Sequence, residues 1–172
     1  MTTLVDYEIR ELCRNSGLVE PFDANRLNPT SIDVTLGSVI LVEGRVCGPE
    51  SERVRWQEMI IDQGVILAPG QFILAHTAET LRMPNWVEGR FQLKSSRARE
   101  GFNHLLADGI DPGFTGCLTL KLQNVNQRHS LEINPGMAIG QLRFSSLDSR
   151  PIKSYAVTGR YSANAAAYPS QG

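Results

Sequence analysis

Residues 94–116 read KSSRAREGFNHLLADGIDPGFTG. The segment opens on a polar, cationic cluster, Lys94-Ser95-Ser96-Arg97-Ala98-Arg99, and closes on Gly109-Ile110-Asp111-Pro112-Gly113-Phe114. Pro112 fixes φ and Gly113 tolerates positive φ, so Asp111 should stand at the mouth of a type II or related turn. Hydroxyls and cations that can grip phosphate, followed by one rigidly held acid, suggest a phosphoester site. The same residues also suit a solvated charged loop beside an ordinary turn.

On either side of this segment the chain reads as short strands. Ser31 to Leu36 alternates, with Ile32, Val34 and Leu36 on one face and Asp33 and Thr35 on the other, closed by Gly37. The runs VILVEG (39–44), MIIDQGVIL (59–67) and QFILAHTAETL (71–81) are punctuated by Gly44, Gly48, Gly64 and Pro69-Gly70. Val46 to Arg55 reads as an exposed loop. Met83 to Val87 is a turn leading into a strand over Glu88 to Leu93. Cys117 to Asn124 sets Leu118, Leu120 and Leu122 against Thr119, Lys121 and Gln123, and the turn Asn134-Pro135-Gly136 precedes a strand over Met137 to Phe144. A short amphipathic helix fits Asp6 to Asn15, with Ile9, Leu12 and Cys13 on one face, Asp6 as N-cap and Gly17 past its end. Many short strands with Gly/Pro turns imply an all-β barrel or sandwich. One domain over residues 1–158 is expected. The tail, residues 159–172, is too poor in apolar residues to form a core of its own. It reads as either a disordered end or a flexible lid.

The 172 residues carry 17 basic and 18 acidic side chains, so no duplex nucleic-acid partner is implied. Local charge gathers at Arg90, Lys94, Arg97 and Arg99, a pattern suited to a small anion. Cys13, Cys47 and Cys117 are odd in number and lack CxxC spacing, which favours reduced thiols over a disulfide framework or zinc site. No apolar leader opens the chain, and no run approaches the roughly 20 apolar residues of a membrane span, so a cytoplasmic protein is expected.

Five segments in order, PFDANRLNPTSIDVTLG, KSSRAREG, IDPGFTG, NPGMAIGQLRF and GRYSANAAAYPSQ, resemble the dCTP deaminase family within the dUTPase/dCTP deaminase superfamily. The resemblance implies a mainly β, distorted β-barrel (dUTPase-like, β-clip) with a short N-terminal helix, assembled as a homotrimer with sites at subunit interfaces. It implies a deoxynucleoside triphosphate as ligand, with Mg²⁺ reaching the site through the substrate phosphates rather than through a protein metal site. Lys94, Ser95, Ser96, Arg99 and Gln141 would hold the phosphates. Leu105 to Ile110, including Ala107, Asp108, Gly109 and Ile110, would be a hairpin reading the base, and Phe114 would pack on the deoxyribose. Tyr161 and Tyr168 belong to the lid. Asp108, if it points inward, would favour an exocyclic amine over uracil O4.

One position departs from the family. The resemblance expects a proton-carrying glutamate ten residues after Asp111, where this chain has Lys121. A charged lysine cannot take a proton from water, whereas the resemblance gives Asp111 the place of the carboxylate with which superfamily hydrolases orient water toward the α-phosphorus. On that asymmetry the expected activity is a Mg²⁺-dependent diphosphatase acting on dUTP, or on dCTP, with Asp111 catalytic. A dCTP deaminase with a displaced proton carrier and a catalytically silent nucleotide-binding regulator are the alternatives.

Overall fold

The computed structural model describes residues 1–44, 55–161 and 165–170. Among these the strands are, in chain order, β1 (Thr2–Thr3), β2 (Val19–Glu20), β3 (Leu27–Asn28), β4 (Ser31–Thr35), β5 (Val39–Glu43), β6 (Trp56–Ile60) and β7 (Val65–Leu67). They continue with β8 (Phe72–Arg82), β9 (Val87–Leu93), β10 (Phe102–Asn103), β11 (Gly109–Ile110), β12 (Thr115–Asn124), β13 (Leu131–Ile133) and β14 (Ala138–Ser146). One sheet runs β11-β9-β14-β4-β3 with β1 beside β14. The other runs β10-β12-β8-β5-β6 with β2 beside β8, and β7 and β13 form a small separate pair. A bridge between Leu36 and Thr77 ties the two large sheets at one corner. The fold is mainly β, as the alternation requires, with each large sheet an open path rather than a continuous closed ladder.

Ile32, Val34 and Leu36 are all buried, and Ile73, Leu81, Leu120, Leu122, Leu142 and Phe144 meet them in one core. The opposite face of β4 is also covered. Thr35 donates to the Glu79 carboxylate through its N–H (2.9 Å) and its hydroxyl (2.7 Å), and Arg26 donates to it at 2.6 Å. Glu79 is almost wholly buried, a placement a carboxylate tolerates only when paired and hydrogen-bonded.

Helix α1 (Asp6–Ser16) forms where expected, but Val5 is its N-cap, not Asp6. The Glu8 carboxylate accepts from the Val5 N–H at 2.9 Å, so Asp6 falls inside the first turn. Gly17 ends the helix at φ 65°, in the left-handed region glycine enters freely. Two local readings change more. Ser95–Glu100 form a short helix, α2, where the sequence showed only a charged cluster. Leu105 to Ile110 do not belong to a hairpin: β10 pairs with β12 while β11 pairs with β9, so the segment crosses from one sheet to the other. The loop expected over Val46 to Arg55 lies, except for Arg55, outside the described residues. Among the described residues no helix is long and apolar enough to cross a membrane.

Candidate active site

The segment Asp111-Pro112-Gly113-Phe114 closes as the sequence demands, with Gly113 at φ 86° and the Phe114 N–H donating to Asp111 O at 3.1 Å. This is type II geometry, and it holds Asp111 exposed at the rim of a cleft of about 840 Å³. The floor is β12. A bulge between Cys117 and Thr119 re-aims the strand, and Cys117, Thr119 and Lys121 line the cleft while Leu120 and Leu122 enter the core. Gly109 and Ile110 form one wall, and Trp56, Phe72 and Leu74 another. Phe114 is buried and tilted against Tyr155, with ring centroids 5.7 Å apart, so it serves both core and cleft wall.

The tail lies against this cleft in the same chain. After helix α3 (Tyr155–Thr158), Tyr161 and Tyr168 both reach the lining. Ala167 is buried on Leu41 and Leu74, with Trp56 and Phe72 packed alongside. The Tyr168 N–H donates to the Thr119 hydroxyl at 3.3 Å. Lys121 is half-buried, and its Nζ donates to Thr119 O at 3.3 Å. Burial lowers its pKa below that of an ordinary lysine, while nearby Tyr161 pulls it back up. Burial pushes the Cys117 thiol upward, the Thr80 hydroxyl draws it down and Glu79 raises it further, so Cys117 is a poor thiolate.

The phosphate-type residues gather elsewhere. Lys94 is ion-paired with Asp33, which also accepts from the Asn28 amide at 2.9 Å. Gln141 stands opposite Asp33 in the β14–β4 register, and its side-chain oxygen accepts from the Ser31 hydroxyl at 3.1 Å. Ser95, Ser96 and Arg99 are exposed on α2, where Arg97 pairs with Glu100 at 2.6 Å. Ala107 is exposed, and Asp108 is half-buried with its carbonyl accepting from the Phe91 N–H at 2.9 Å. The structure therefore brings Gly109, Ile110, Asp111, Phe114, Tyr161 and Tyr168 to one cleft. Ser95, Ser96, Arg99, Ala107, Asp108, Lys94 and Gln141 do not line it.

Sequence reasoning missed Asp33, whose alternation looked like an ordinary polar face. It also missed Trp56 and Phe72, which reach the cleft only because β6 and β8 both pair with β5. No short-range spacing could reveal that. Among the described residues no three His, Cys, Asp or Glu side chains converge to hold a metal.

A family model described as dCTP deaminase-like matches residues 3–147. The chain belongs to that family. It is 36% identical over 167 residues to the dCTP deaminase, dUMP-forming, of Coprothermobacter proteolyticus, covering 92% of this chain and 89% of that protein. It is 43% identical over 149 residues to the protein of the same name from Methanosphaerula palustris, covering 82% and 79%. Among solved structures it resembles the 2'-deoxycytidine 5'-triphosphate deaminase of Agrobacterium tumefaciens, with a TM-score of 0.67 and 25% identity. That match covers 83% of this chain, which spans 48% of the Agrobacterium chain.

These relatives overturn the expected dUTP or dCTP diphosphatase and its hydrolase class. The expectation rested on Asp111 as the retained carboxylate and on Lys121 treated as a solvated ammonium that cannot handle protons. In the family member's fold that side chain is half-buried in the cleft, not free in water.

Proposed function

We propose that this dCTP deaminase-like chain deaminates dCTP, with dUMP as the product that the names of its relatives indicate. The observation that carries the reading is the 36% identity with a dUMP-forming dCTP deaminase over 92% of the chain. Passing from dCTP to dUMP breaks two bonds. Water adds at C4 and ammonia leaves, and a second water displaces diphosphate from the α-phosphorus. One ligand therefore needs proton handling at the base and a positioned water at the phosphate.

The cleft offers Lys121 and Asp111 for these two tasks. Asp111, held by its turn, orients the water that attacks the α-phosphorus, and such positioning lowers the barrier without new chemistry. Ser95, Ser96 and Arg99 supply hydroxyl and guanidinium donors for the triphosphate. Mg²⁺, carried in on the phosphates, would neutralise charge developing there. Because Ser95, Ser96 and Arg99 lie away from the cleft of their own chain, a second copy supplies them in this reading, within a homotrimer in the cytoplasm.

The test is direct. The full chain is incubated with dCTP and Mg²⁺, and ammonia, diphosphate and the nucleotide product are assayed separately. Ammonia and dUMP are expected. Binding of dCTP without ammonia release would sink the reading and leave a nucleotide-binding relative.

A further inference from the structure

Deamination at C4 moves two protons from water: one ends on N3 and one on the departing amine. The cleft must hold a group able to give and take them. Among the described residues that line it, the ionisable side chains are Asp111, Cys117, Lys121, Tyr155, Tyr161 and Tyr168. Asp111 sits exposed on the rim. Cys117 is disfavoured as a thiolate by burial. The three tyrosines come from α3 and the tail. Of the two ionisable side chains on the β12 floor, Cys117 and Lys121, only Lys121 has its proton loosened by burial rather than held more tightly. Its backbone is paired with Leu74 of β8 and its Nζ is held toward Thr119 O. A site built on a paired strand holds its groups more closely than one built on a loop.

We propose that Lys121 Nζ is the proton carrier of the deamination step, giving a proton to cytosine N3 before it takes one from water. The proposal deepens the deaminase reading and rests on it. A group that starts protonated must give first. The ammonium protonates N3, which makes C4 electrophilic and leaves the amine form of Lys121. That amine takes a proton from water as the water oxygen bonds to C4. The ammonium so restored gives its proton to the exocyclic nitrogen, the C4–N bond breaks and ammonia departs. The adduct's hydroxyl proton returns to Lys121 as C4=O forms. Water has then lost two protons and its oxygen, N3 carries one proton, the amine has gained the other, and Lys121 is as it began.

Burial supports this role because it brings the ammonium closer to giving up its proton than in water. The titratable groups that share its cleft are Asp111, Cys117, Tyr155, Tyr161 and Tyr168, and of these Tyr161 acts on its titration, opposing the effect of burial. An arginine would keep the charge but could not release the proton.

Ammonia release from dCTP is measured across pH for the full chain and for Lys121→Met, Lys121→Arg and Lys121→Glu, with dCTP binding by calorimetry and thermal melting alongside. Lys121→Met removes a charge that burial disfavours, so it should melt no lower than wild type. Lys121→Met and Lys121→Arg should each lose ~10²-fold or more in ammonia release while binding dCTP within a few-fold. Lys121→Glu should keep ammonia release, with its acid limb moved into the carboxylate range. Near-wild-type ammonia release by Lys121→Met or Lys121→Arg would overturn the proposal and leave the deaminase reading standing. Absence of ammonia release by the wild-type chain would instead overturn the deaminase reading itself.

Discussion

Asp111 owes its position to the two residues after it. Pro112 and Gly113 fix the turn, and the Phe114 N–H closes it onto Asp111 O. The Tyr155 N–H donates to Pro112 O at 3.1 Å and the Met83 N–H to Phe114 O at 2.8 Å, so the carboxylate is held by its own turn and by two distant backbone bonds. Asp111→Asn keeps that shape and removes the charge. Nucleotide binding and ammonia release should survive, while dUMP formation falls roughly 10²–10⁴-fold and dUTP accumulates. Chromatography of the products checks this, and undiminished dUMP would remove Asp111 from the phosphate step. Cys13 makes a different kind of prediction. Burial pushes its thiol up to about 11, against the backbone hydrogen bond with Val19 that lowers it. The unfolded thiol ionises near 9.0, so the folded chain holds its proton longer. This stabilisation is complete below pH 9 and lost as pH rises from about 9 to about 11. Cys117 shifts in the same sense. Urea unfolding at stepped alkaline pH should therefore fall more steeply for wild type than for Cys13→Ala. Residues of this kind were legible unequally. Asp111 announced itself through Pro and Gly, whereas Asp33, which now pairs with Lys94, looked like any polar position on an alternating strand.

At the scale of elements, strands with an apolar face or an apolar run were readable and the two-residue strands and the short helix were not. β12 declares itself by alternation and β8 by a long β-type run, but α2 has six residues and no apolar stripe, so nothing but its charge was visible. The crossing segment between β10 and β11 was misread as a hairpin because pairing partners 19–22 residues away, not the segment itself, decide its path. That segment holds Leu105 at φ 55° and Leu106 at φ 56°, left-handed conformations that cost a leucine about 1–2 kcal/mol each. Leu106 is largely exposed, so little burial offsets the cost. Leu106→Asn, which accepts the left-handed region, should raise the melting temperature or leave it unchanged. A clear fall would show that Leu106 makes a contact worth more than its strain. The tail is the other element with a stake in the site. Its apolar anchor, Ala167, is buried on Leu41 and Leu74. Ala167→Glu would bury a carboxylate there, so the tail should lift, Trp56 emission should shift to the red, and turnover should fall with little loss of global stability. Unchanged turnover despite the fluorescence shift would mean that tail docking does not matter to the reaction.

For the whole molecule, the fold class followed from spacing, but the strand order did not. Spacing says which face of a strand is buried. It cannot say that β9 separates β11 from β14, or that β5 lies between β6 and β8. The same gap separates two groups of residues, because the phosphate-type residues do not line the cleft of their own chain. Ser95, Ser96 and Arg99 project from α2, while Asp111 and Lys121 line the cleft. If one copy's α2 completes a neighbour's cleft, two defective chains should repair each other. Arg99→Ala would damage the phosphate grip and Asp111→Asn the phosphate chemistry, so each variant alone should form little dUMP. In an equal random mixture, a site formed across an interface needs Asp111 from one copy and Arg99 from its neighbour, which occurs in about one quarter of interfaces. Mixing by co-expression or joint refolding should therefore restore dUMP formation to roughly one quarter of the wild-type rate. A mixture no more active than its two components would show that each chain completes its own site, and the interface assignment would fall while the roles of the individual residues remained open to separate test.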